Sequence, residues 1–272
     1  MRQSSRANRL LLAACIALAP APEAAAAAGT PPTAAAATTT PPIDPSAHYQ
    51  VCLNEARRAP QEALAAAEDW RNAGGGFPAE HCVAVALFGL KRYAEAAQKF
   101  EDLAGRMMAS GPDLRAGALD QAGQAWLLAG RPDAAAAAFA AALRLTSGAP
   151  DLLIDSARAA AEAKRWKIAI ADLDQVLKRD PDRADALVYR ASAYRQLGVL
   201  DRARADADRA LALAPDNVEG HLERGNIRRL EGDAAGARAD WRAVLRLGPG
   251  SPAAQAATEN LAALGPAARP KH

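Results

Sequence analysis

Apolar and small side chains recur along this chain in blocks, and the blocks themselves recur. In "LVYRASAYRQLG", residues 187–198, Leu187, Ala191, Tyr194 and Gly198 follow one another at helical spacing, which predicts a single helix. Three longer blocks align with one another: "KRWKIAIADLDQVLKRDP", "GVLDRARADADRALALAP" and "GDAAGARADWRAVLRLGP". They close on Pro181, Pro215 and Pro249, each 34 residues from the next. An earlier block, "GRPDAAAAAFAAALRLTS", puts Ser147 a further 34 residues upstream, and "KRYAEAAQKFEDLAGRMM" fits the same template with a longer turn after it. A fixed period of this length is the mark of a repeat architecture. Heavy alanine usage and only 4% aromatic residues favour helices over sheets.

The pattern resembles the tetratricopeptide repeat, a helix–turn–helix of 34 residues. From Ala184 the signature places hold Leu187, Ala191, Tyr194, Gly198, Ala203, Ala207, Ala210 and Pro215. From Val218 they hold Gly225, Gly232, Ala237, Trp241 and Pro249. From Ala116 they hold Gly123, Trp126, Gly130, Ala135 and Phe139. From Pro150 they hold Ala157, Ala169, Leu173 and Pro181, with Lys164 where glycine is usual. The resemblance implies an all-α fold, a right-handed α-solenoid of helical hairpins. Its repeats fall at about 77–110, 116–149, 150–183, 184–217 and 218–251, after a divergent one at about 47–76. Ser251 and Pro252 read as the N-cap and first residue of a capping helix, 252–264, that stops at Gly265; residues 266–272 form a tail.

Ahead of the repeats, residues 1–28 have a basic start, an apolar run from Leu10 to Ala19 and small residues suited to cleavage. That is the layout of a secretory signal peptide, and it predicts export, to a bacterial periplasm on the family resemblance. "LAAC", ending at Cys15, resembles a lipobox, so the alternative is a lipoprotein held at a bacterial membrane. Membrane contact is expected only on that route. Residues 29–46, rich in Pro, Thr and Ala, read as an extended linker before the 47–265 solenoid.

Charge narrows the function. The net +2 comes from the N-terminus, where Arg2, Arg6 and Arg9 outweigh Glu23, so the rest is near neutral. A nucleic-acid partner is not expected. Nor is an enzyme. His48, His81, His221 and His272 have no metal-ligand spacing, the glycines at 74–76 read as a loop, and no nucleophile or phosphate-loop motif is present. No cofactor is implied. Cys52 and Cys82 survive removal of the leader, and an even number in an exported chain suggests a disulfide between neighbouring hairpins. Two buried free thiols are the alternative.

Arginine carries two different readings. Arg190 and Arg224 sit at repeat position 7, normally buried, and so need partners. Asp172, Asp206 and Asp240, all at position 23, can supply them. Within a repeat Arg190 would meet Asp206 and Arg224 would meet Asp240; between repeats Asp172 would meet Arg190 and Asp206 would meet Arg224. The second register is preferred because it also uses Asp172. The family's groove positions, carried over, give Arg195 and Arg229, then Arg158, Ser192 and Asn226, then Asp120 and Gln124. This polar stripe suits an acidic or extended peptide, with a solvated helix face as the alternative. The carboxylate clamp of chaperone-binding relatives is absent, since Leu222 stands at the position the clamp needs. The expected function is non-enzymatic protein or peptide binding in the cell envelope. The alternative is a lipid-anchored scaffold for envelope assembly or exopolysaccharide secretion; repeats accompanying a hydrolase are a third idea without a catalytic constellation behind it.

Overall fold

Proline opens several helices of this chain at the first helical position, where its missing N–H leaves no hydrogen bond unmade. The computed structural model describes residues 45–146 and 148–265. The leader, Cys15, most of the linker and the tail from residue 266 lie outside the described residues. Every element among the described residues is an α-helix. They run α1 (Pro45–Arg58), α2 (Pro60–Asn72), α3 (Gly76–Gly89), α4 (Tyr93–Arg106), α5 (Pro112–Leu128), α6 (Pro132–Leu143) and α7 (Pro150–Glu162). Then follow α8 (Trp166–Arg179), α9 (Ala184–Gln196), α10 (Leu200–Leu213), α11 (Val218–Leu230), α12 (Ala234–Leu247) and α13 (Pro252–Leu264). Helix α1 starts at Pro45, two residues inside the stretch that composition reads as linker.

Two units divide the chain, the boundary falling inside α4 between Lys99 and Phe100. In the N-terminal unit α1, α2 and α3 pack mutually. Cys52 on α1 and Cys82 on α3 form a disulfide, their Cα atoms 6.3 Å apart. Both cysteines are buried. Beside them the Tyr49 hydroxyl and His81 Nδ1 are hydrogen-bonded at 2.8 Å, and His48 stacks on Trp70 with ring centroids 4.3 Å apart.

In the C-terminal unit each helix from α5 to α13 packs on the next, and α5, α7, α9, α11 and α13 also contact one another in sequence. The result is a solenoid of helical hairpins. Its first helices form one row, which makes a continuous face of side chains from different repeats. Ser251 caps the last helix, its Oγ accepting from Ala254 N–H at 3.1 Å.

Each hairpin closes by matching a small residue against a large one. An added Cβ on Gly123 would lie 2.6 Å from the Phe139 ring, and one on Gly225 would lie 2.5 Å from Trp241. In the two intervening repeats the corresponding pairs are Ala157 with Leu173 and Ala191 with Ala207, so the small residue grows as its partner shrinks. Packing at interior density demands this trade. The turn within each hairpin has a fixed backbone need as well. Gly130, Lys164, Gly198 and Gly232 stand 34 residues apart, with φ of 70°, 59°, 74° and 85°. Lysine tolerates that left-handed conformation poorly. Lys164→Gly is therefore expected to raise the unfolding free energy by about 0.5–1 kcal/mol, less than the full strain because glycine also loosens the unfolded chain. Urea titration measures it, and a loss of stability would contradict the strain.

Candidate functional site

The first-helix face of the C-terminal unit holds side chains that contribute little to an apolar core. Asp155 on α7 and Glu223 on α11 are only 6% and 7% exposed, although both are carboxylates in mid-helix. Each holds an arginine. Arg158 Nη1 donates to Asp155 Oδ1 at 2.9 Å, one turn along α7. Arg195, at the end of α9, reaches across to α11, where Nε bonds Glu223 Oε1 and Nη2 lies 3.3 Å from Oε2. The same Nη2 is 3.5 Å from Ser192 Oγ. Burial raises the Asp155 pKa, against the charge and hydrogen bond of Arg158, which lower it.

Toward α5 the face ends in a further, half-buried carboxyl. Asp120 Oδ2 accepts from Gln124 Nε2 at 3.1 Å, while Oδ1 is enclosed and has no hydrogen-bond partner among the described residues. Burial, then the nearby Asp155, pushes Asp120 up to about 7, with the Gln124 bond partly offsetting them. At the other end Asn226 is engaged in packing. Its Oδ1 accepts from Trp241 Nε1 at 3.2 Å and from Asn260 Nδ2 on α13 at 3.0 Å. Arg229 is exposed at the end of α11.

A raised carboxyl pKa carries a stability prediction. The folded state holds a proton on Asp120 that the unfolded chain releases near pH 4, so its contribution weakens as pH rises toward about 7. Asp120→Asn keeps the shape without the charge. It should be more stable than the wild type at pH 8 by about 1–3 kcal/mol, the range for a buried group without a partner, and should match it near pH 4. Urea unfolding at the two pH values checks this; a gap of equal size at both would contradict it.

Arg190 and Arg224 belong to the framework, in a register different from the preferred one. Arg190 donates through Nε and Nη2 to Asp206, both at 2.8 Å, and Arg224 does the same to Asp240 at 3.0 and 2.7 Å. These are pairs within a repeat. Each arginine also reaches the preceding repeat through Nη1, Arg190 to Asp174 at 2.6 Å and Arg224 to Asp208 at 3.1 Å. The expected partners between repeats, Asp172 for Arg190 and Asp206 for Arg224, are thus replaced by aspartates two residues further along the helix. Asp172 instead accepts from Ser156 Oγ at 2.7 Å. The reason is geometric. Position 23 faces the first helix of its own hairpin, and position 25 is the one turned toward the following repeat.

The tetratricopeptide-repeat family model matches residues 154–218 and 197–252, the stretch in which these contacts recur at 34-residue intervals. This stretch consists of tetratricopeptide repeats. Solved tetratricopeptide-repeat structures share its fold. One from Parabacteroides merdae is 15% identical with a TM-score of 0.58, over 84% of this chain and 86% of that one. A thermophilic one from Thermus thermophilus is 20% identical with a TM-score of 0.54, over 70% and 98%. YrrB, described as a tetratricopeptide-repeat protein with an unusual peptide-binding site, is 16% identical with a TM-score of 0.52, over 71% and 96%. No curated protein matches the sequence.

In these tetratricopeptide repeats the sequence signature picks out Arg158, Ser192 and Arg195 but passes over the carboxylate partners of the two arginines. Asp155, Tyr189 and Glu223 all occupy repeat position 6 and stand 34 residues apart, a signal open to the same alignment. Among the described residues no group of His, Cys, Asp and Glu is arranged to hold a metal ion, and no helix is long and apolar enough to cross a membrane.

Proposed function

We propose that this protein is a binding scaffold that holds an extended peptide segment of a partner protein along the first-helix face of α5, α7, α9 and α11, and does no chemistry on it. One observation carries the reading. That face buries Asp155 and Glu223 to fix Arg158 and Arg195 in place, a costly arrangement where apolar residues would pack at no desolvation penalty. Side chains that break the local packing rule and are held rigid mark a recognition surface. The peptide-binding description of YrrB, a fold neighbour, supports the same use of the architecture.

We infer from the leader-like N-terminus that this binding takes place outside the cytoplasm, in the periplasm of a bacterium. A disulfide between Cys52 and Cys82 supports that compartment, because such bonds persist where the surroundings are oxidising. The "LAAC" stretch favours a second reading, a lipid-anchored scaffold for envelope assembly or exopolysaccharide secretion. Mass spectrometry of the mature N-terminus separates the two: a diacylated Cys15 supports the anchored form, and a start among residues 24–29 supports the soluble one.

Selection from a displayed peptide library tests the face itself. Peptides enriched on the wild type should lose binding to Ser192→Trp, which fills the face, and keep it to Gln175→Trp on the exposed side of α8. Retained binding to Ser192→Trp would overturn the proposal.

A further inference from the structure

The N-terminal unit holds its first helix by little besides a covalent bond. Of the described side chains of α1, Cys52 and Ala56 are the buried ones, and both are small. Tyr49 and Leu53 are half-buried, and Val51 is 53% exposed. A helix of 14 residues is marginal in water unless an apolar face packs against something, and this one has little to pack. The Tyr49 hydrogen bond to His81 and the His48 stack on Trp70 fasten its N-terminal half. Its middle is fastened by the Cys52–Cys82 bond. One turn later α1 meets α3 where no side chain fits, since a Cβ on Gly89 would come within 2.5 Å of the Ala56 carbonyl oxygen. The next two helices are better supplied. Leu64 is buried on α2 with Ala63 and Ala67, and α3 is buried without a break from Cys82 to Leu87.

We propose that α1 is a redox-held strap: bonded through Cys52 and Cys82 it lies on α3, and reduced it lifts as one segment while α2 and α3 stay paired. The reason is a difference in local stability. Lifting α1 uncovers mainly two small side chains, whereas parting α2 from α3 uncovers Leu64 and part of the α3 run. While the bond is intact, Cys52 stays beside Cys82 and the lifted states are few. Once it is broken, the same narrow stripe must hold the helix unaided. The chemistry is thiol–disulfide exchange. A thiolate of a dithiol attacks one sulfur of the pair, and the other leaves as a thiolate. The second thiol of the reductant then displaces the remaining cysteine from the mixed disulfide. Two electrons and two protons pass to Cys52 and Cys82, and the dithiol ends as its own disulfide. An oxidised partner of the same class runs these steps backwards and returns the strap. Cys52 is 4% exposed and Cys82 0%, so a thiolate reaches sulfur only once α1 has begun to lift.

Hydrogen exchange followed by mass spectrometry on the full chain tests the strap in three forms: oxidised, reduced by dithiothreitol without denaturant, and Cys52→Ala/Cys82→Ala. Thiol labelling establishes the state of each sample. Peptides within residues 45–58 should exchange roughly a hundredfold or more faster in the reduced and doubly substituted forms, as loss of a bond between residues 30 apart implies. Peptides within 60–89 should change by less than about threefold. Those of α7 to α12 should not change. Equal protection of 45–58 in all three forms would overturn the proposal. So would a loss of protection shared by 45–58 and 60–89, which would make the bond a staple of the whole unit and not of one helix. A disulfide that survives dithiothreitol under native conditions would overturn it as well.

Discussion

Replacing Asp240 with alanine is expected to cost the fold about 3–5 kcal/mol, the range for breaking a buried ion pair and leaving its partners uncompensated. Asp240 is only 3% exposed, and its two oxygens accept from Arg224, Arg228 and His221. Its loss leaves Arg224 with Asp208 alone, at 3.1 Å, and Arg228 with the more distant Asp233, at 3.8 Å. Asp172→Ala, at the same repeat position, should cost only about 1 kcal/mol, because Asp172 gives up a single bond from the Ser156 hydroxyl. Urea titration of the two variants measures the contrast. Equal losses would show that the arginine cluster adds nothing beyond an ordinary hydrogen bond.

Acid should act in the same direction as the alanine variant. Burial alone would raise Asp240, but the hydrogen bonds from Arg224 and His221, with the Arg224 and Arg228 charges, hold it below the usual carboxylate range. A depressed folded pKa gives stability that is complete at neutral pH and is lost as pH falls through the depressed value. Asp120 has the opposite sign, so at high pH Asp120→Asn should be more stable than the wild type and Asp240→Asn less stable, and both should approach it in acid.

The second large effect belongs to the N-terminal unit. Cys82→Ala should destabilise it by about 2–5 kcal/mol, as removal of a native disulfide from a small unit does. The bond closes a loop between residues 30 apart and ties α1 directly to α3. The first hairpin, at about 47–76, lacks most of the repeat signature, so little else in its sequence specifies the packing. Reduction of the wild type should reproduce the variant's loss. Two reactive thiols in the denatured, unreduced protein would contradict the bond.

The 34-residue period made the hairpins of the C-terminal unit legible because packing forces a small residue against a large one at the same places in every repeat. The register of Arg190 and Arg224 was less legible. Position 23 and position 25 both carry aspartates, and only the rotation of the second helix decides which of them turns toward the next repeat. Arg195 was legible as a residue of the face, but its pairing with Glu223 was hidden, since partners 28 residues apart on different helices leave no local pattern. The left-handed turn at Lys164 shows the reverse case: the repeat imposes the conformation whether or not the residue suits it.

On the proposed function, ligand lies on the row of first helices. A peptide from the library selection carrying a benzophenone, photo-crosslinked to the wild-type protein and mapped by mass spectrometry after digestion, tests it most directly. Crosslinks are expected within α7, α9 and α11, on residues around Arg158, Ser192 and Tyr189. Crosslinks confined to α8, α10 and α12 would contradict it.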